Sequence, residues 1–145
     1  PQALQLAFWF HDAIYNVFSS KNEIRSAAWA KDFALAQGAD INTAQLLHSF
    51  ILDTIHGRSD IVADNAWMVD IDLAILGTSQ KIYGQYTKAV RKEYRLIPAS
   101  IYKQGRSQLL AEFLALPAIY NTEAFRHSHE NQARANIQRE LDSYK

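Results

Sequence analysis

The chain has no cysteine among its 145 residues. That excludes a disulfide framework and thiolate metal sites, leaves His, Asp and Glu as the strong ligands, and agrees with the reducing cytoplasm in which we expect the protein. No sign of charge dominates: Lys and Arg total 15, and so do Asp and Glu. A chain without a global field does not draw in a polyanion, so nucleic acid is not expected as its principal ligand. Long apolar runs are missing too. The most apolar stretch, Ala3 to Phe10, falls well short of the ~20 residues of a membrane span, and no basic segment with a cleavage site precedes it. No membrane is expected as a partner. Glycine and proline are scarce, at five and three, and no low-complexity linker, fixed-period repeat or strand-like alternation is present.

What remains is helical spacing. With 48% hydrophobic residues the chain can bury a core without cross-links, and we expect a single all-α domain over residues 1–145, a compact multi-helix bundle. The first helix is expected from about Gln2 to Asn16, apolar on most faces, with His11 and Asp12 inside it. Ser20 with Glu23 is a capping-box pattern, with Asn22 a rival cap, and opens a helix that Gly38 stops; Asn42 with Gln45 opens another that runs to His56. A loop is expected over Arg58 to Asp64, then helices over Trp67 to Leu76, Ser79 to Arg95, Ser100 to Leu116 and Ser128 to Tyr144. The sequence opens on Pro1 without an initiator methionine and runs at once into apolar residues. From that abrupt start we expect an N-terminal helical segment to be lacking.

Burying an imidazole and a carboxylate in so apolar a segment is costly unless each finds a partner, and a bound cation is one such partner for His11 and Asp12. Side chains of adjacent helical residues diverge by about 100°, so other donors are needed; His56 and the Asp70 and Asp72 pair are the candidates. Such a mixed nitrogen and oxygen set suits a divalent ion, Mn²⁺, Fe²⁺, Zn²⁺, Ni²⁺ or Mg²⁺. From the dipeptide alone, a pair of ordinary bonded side chains is the better explanation. His48 and His56, eight residues apart, stand about 12 Å apart on a straight helix and do not readily share an ion. His127 and His129 lie in a polar stretch and are given no role.

The wider text changes the balance. The runs AFWFHDAIY from Ala7 to Tyr15, NEIRSA from Asn22 to Ala27, LDTIH from Leu52 to His56 and DIDLAILG from Asp70 to Gly77 together resemble the predicted metal-dependent phosphohydrolases of the HD superfamily. Tyr83, Tyr86, Arg91, Glu93 with Tyr94, Tyr102, Gly105 with Arg106, the run from Ile119 to Thr122 and that from Ala133 to Asn136 extend the resemblance almost to the C-terminus. It implies an HD-domain-like helical bundle and a divalent metal held by His11 and Asp12, with Asp72 ahead of Asp70 as the later aspartate. The implied substrate is a small phosphate ester, with nucleotides among the candidates. Glu23 or Asp70 would position or deprotonate the attacking water, while Arg25, Arg91 and Arg106 would grip phosphate and Tyr94 would reach toward the cavity; the alternatives are capping and surface pairing for Glu23 and Arg25, and a structural ion pair with Glu93 or Glu112 for Arg91 or Arg106. The sequence departs from the pattern in having no histidine between Pro1 and Phe10. A degenerate HD-fold module that binds a nucleotide or a metal without turnover is therefore an alternative, and a di-iron oxygenase on the same scaffold is a further one.

Overall fold

A computed structural model describes residues 2–16, 19–55 and 63–145. Among them every regular element is helical: α1 (Gln2–Phe10), α2 (Asn22–Ala36), α3 (Ile41–Leu52), α4 (Ala63–Asp72), a 3₁₀ segment (Leu73–Gly77), α5 (Gln80–Glu93), α6 (Ala99–Ala115) and α7 (Glu123–Asp142). The protein is all-α. Its contacts divide it into two compact units, Pro1–Asp72 and Leu73–Lys145. No helix among the described residues is long and apolar enough to cross a membrane.

The first unit packs α1 to α4 around small side chains. Ala3 and Ala7 of α1, Ala27, Ala30 and Ala34 of α2 and Ala44 of α3 are buried with Leu47, Phe50, Ile51 and Met68. Alanine at these contacts lets helix backbones approach closely, and larger groups fill the gaps left between them. α2 and α3 form a short helical hairpin. Gly38, at φ +85°, turns the chain, and the amides of Gly38 and Ala39 donate to Leu35 O and Ala34 O, each at 3.0 Å. This is a Schellman end, which needs the left-handed conformation that glycine adopts without strain. The cap of α3 is Asp40, whose carboxylate accepts from the Asn42 and Thr43 amides, and the expected start at Asn42 lies two residues too late. The expected cap at Ser20 is also displaced: α2 begins at Asn22 after Lys21, which makes no side-chain cap bond.

α1 differs from expectation in two ways. Only its Ala3 and Ala7 face is buried, while Leu6, Phe8 and Trp9 are exposed. It also ends at Phe10, so His11 and Asp12 occupy the turn that follows the helix. Phe10 anchors that turn by packing edge-on to Trp29, with ring centroids 5.2 Å apart, and against Phe33 at the same separation. The expected loop over Arg58 to Asp64 lies largely outside the described residues, and α4 begins at Ala63, earlier than the expected Trp67.

In the second unit, the 3₁₀ segment packs on α7, which starts at Glu123 under a Thr122 cap, five residues before the expected Ser128. Contact is closest at Gly77: a Cβ built there would lie 2.5 Å from His129 Cβ and 2.9 Å from the His129 carbonyl oxygen. Only hydrogen fits. Asn136 on α7 donates to the carbonyls of Leu76 and Thr78 at 2.9 and 2.8 Å, and the Tyr120 hydroxyl donates to Leu73 O at 3.0 Å. Asn136 thus serves carbonyls at the end of the 3₁₀ segment, and Tyr120 one at its start.

Candidate metal centre

The turn after α1 is held by two polar side chains on the buried stripe of α2. Ser26 Oγ accepts from the Ile14 amide at 3.0 Å, and Asn22 exchanges two bonds with Asn16, accepting from its amide at 3.0 Å and donating to its carbonyl at 2.9 Å. Asn22 and Ser26 are both buried, two turns and one turn before Ala30 on the same i, i+4 row. In the run NEIRSA it is therefore the first and fifth residues that support the His-Asp turn. Sequence reasoning weighed Asn22 only as a cap and singled out Glu23 and Arg25; the signal it passed over was a polar pair continuing the spacing of the buried alanines.

On the turn, His11 makes three directed contacts. Its Nδ1 lies 2.7 Å from Phe8 O, and its Nε2 lies 3.3 Å from Asp12 Oδ2 and 3.2 Å from Asp72 Oδ1. Residues 11, 12 and 72 are thereby brought together at the ends of α1 and α4. α1 has no basic residue in its last turn and ends just before His11, so the negative end of its dipole adds to the two carboxylates in favouring a cation. Burial alone would lower the imidazole pKa; the hydrogen bonds to Asp12, Asp72 and Phe8 outweigh it and push the pKa up to about 10. In this arrangement the proton is the cation that the carboxylates hold.

Whether a metal ion fits the same place is decided by donor chemistry and spacing. A backbone carbonyl on Nδ1 fixes the neutral ring in the tautomer whose Nε2 lone pair faces the carboxylates, the usual support of a metal-bound histidine. Two donors about 2.1 Å from one ion stand about 3.0 to 3.4 Å apart at octahedral to tetrahedral angles. The two Nε2 to oxygen separations fall in that range. Among the described residues no group of three or more His, Asp or Glu side chains forms a ready metal site as it stands. The set supplies its donors in pairs, and the 62% exposure of the Asp12 side chain leaves room for it to turn. One nitrogen and two oxygens leave positions for water and substrate.

Asp70 does not join this group: it sits two residues earlier on α4, is fully buried, and faces the unit's interior where Asp72 faces the turn. Asp53, which accepts from Asn65 Nδ2, is a second buried carboxylate of this unit. Glu23 is half-buried and Arg25 exposed on α2, and neither is among the partners of the His11 ring. His56 lies outside the described residues.

The remaining candidates belong to the second unit. Arg106 is buried and paired with Glu140, donating from Nε at 2.9 Å and from Nη2 at 3.2 Å. Glu140 also accepts from the hydroxyls of Tyr83 and Tyr144. Burial would raise the Glu140 carboxyl, but the bonds from Arg106 and Tyr83 hold it below the usual range. The Tyr83 hydroxyl is pushed up by burial and by Glu140. Arg106 has thus found a structural partner on α7, distinct from the Glu93 and Glu112 that sequence proximity suggests. Arg91 donates to Tyr94 O and Ile97 O at 2.6 and 3.3 Å, closing the end of α5, and the Tyr94 ring packs on Tyr102. No family model, curated protein or solved structure matches this chain.

Proposed function

We propose that this protein is a metal-dependent phosphohydrolase domain of the HD superfamily, acting in the cytoplasm on a small phosphate ester such as a nucleotide. The observation that carries the reading is the His11 group: Nδ1 on a backbone carbonyl, Nε2 facing Asp12 and Asp72 at the spacing of donors that share an ion. His11, Asp12 and Asp72 would hold the ion, which when bound supplies an activated water and a Lewis acid for the phosphoryl oxygens. The chain's own residues orient that chemistry. Phe8 O and Asn22 with Ser26 fix the ring and its turn, and the negative end of α1 favours the cation.

The test is release of inorganic phosphate from a panel of nucleotides and phosphomonoesters, with Mn²⁺ added to metal-free protein. Asp72→Asn keeps shape while removing an anionic donor, and should abolish both turnover and bound metal. Equal turnover in the variant would reject the assignment. A second reading, a module that binds without turnover, is favoured by the incomplete closure of the three side chains; it predicts metal bound and lost with Asp72→Asn, but no phosphate released.

A further inference from the structure

The second unit contains a separate cavity of about 320 Å³ between α5, α6 and the end of α7. Lys88, Arg91 and Lys103 stand in its wall with Tyr102 and Tyr144, and the single carboxylate there, Glu140, is already neutralised by Arg106. Three cations therefore gather at one cavity in a chain of zero net charge. Their present contacts leave donors over. Arg91 uses one bond from each terminal nitrogen on carbonyls and lies 4.8 Å over the Tyr102 ring, and Lys103 Nζ stands 5.7 Å from the centre of the Tyr144 ring.

Tyr102 adds an independent observation. It is 8% exposed, and its hydroxyl is buried with no hydrogen-bond partner. The nearby Tyr144 hydroxyl spends its own proton on Glu140 Oε1 at 2.8 Å. A buried donor left unmade beside a cationic cavity is satisfied by an acceptor that enters it. The volume exceeds what inorganic phosphate fills, and the half-buried Tyr144 ring offers apolar surface for an organic portion.

The geometry points to a binding site for a small phosphorylated molecule in the second unit, its phosphate met by Lys88, Lys103, Arg91 and the Tyr102 hydroxyl and its organic part by Tyr144. This site does not rest on the reading given to His11. Binding of AMP to the metal-free full chain, followed by amide chemical shifts, tests it. Shifts are expected at Arg91, Tyr102 and Tyr144, with affinity weakened about tenfold or more in the exposed double variant Lys88→Gln, Lys103→Gln. Tyr102→Phe should weaken binding without altering the far-UV spectrum, and His11→Ala should leave it unchanged. Absence of shifts at millimolar AMP would overturn the inference. So would binding that survives the double variant or disappears with His11→Ala.

Discussion

The two units bury polar groups in opposite styles. In the first, the core is mostly alanine and aliphatic, and the His11, Asp12 and Asp72 side chains collect at helix ends where one carboxylate is open to solvent. In the second, Arg106, Glu140 and Tyr83 lie inside, each satisfied by the others. A polar cluster that is closed on itself specifies packing, whereas one held at the rim with like charges facing a single ring keeps capacity for a ligand. Motif residues therefore divide by unit: those near His11 gather at an open rim, where the proposed cation would bind, and Arg106, Tyr83 and Asn136 serve the fold.

That contrast can be broken from either side, and the aromatic residues make the sides separable. All three tryptophans lie in the first unit, and six of the seven tyrosines in the second. The largest effect is expected from Glu140→Ala, which leaves Arg106 buried without its counter-ion and should cost about 3 to 5 kcal/mol, read by denaturant unfolding through the tyrosine near-UV signal. Gly77→Ala should cost about 1 to 3 kcal/mol in the same transition, because the new methyl meets His129 backbone as well as side chain. Asn22→Ala should act on the other unit, lowering metal affinity about tenfold by loosening the turn, with Tyr near-UV melting unchanged. Gly38→Ala, at φ +85°, should destabilise the first unit by about 1 kcal/mol in tryptophan-detected unfolding.

The smallest effect concerns pH, since solvent screens the Asp12 side of the pair. Without metal, the His11 pKa in the folded chain is raised from 6.5 to about 10. Its proton-linked contribution is therefore complete below about pH 6.5 and is lost as pH rises through 10. The stability difference between wild type and His11→Gln should be largest near pH 6 and shrink toward pH 10. Metal affinity should run the other way, rising over the same interval as the competing proton leaves.

Much of the helical order was legible because apolar spacing and glycine stops are local. Boundaries were less so. Asp40 rather than Asn42 caps α3, since an aspartate one residue before the helix outcompetes an asparagine inside it. The Ser20 pattern failed because α2 starts at Asn22, with Lys21 in the cap position, and the rival cap Asn22 spends its side chain on Asn16, a bond across the turn that no local pattern reveals. Reading residues 2–16 as one helix also hid how His11 and Asp12 meet: adjacent side chains diverge on a helix but converge on the turn where α1 has ended. For the site, spacing on α4 separated Asp70 from Asp72 once the burial of Asp70 was known. The Arg106 and Glu140 pair, 34 residues apart, depended on tertiary packing alone.

Titration of the metal-free chain with Co²⁺, followed by its visible absorption, tests the metal centre most directly. One Co²⁺ per chain with a nitrogen-ligand spectrum, lost in both His11→Ala and Asp72→Asn, is the predicted result; no binding at millimolar Co²⁺, or the same spectrum in both variants, would contradict it.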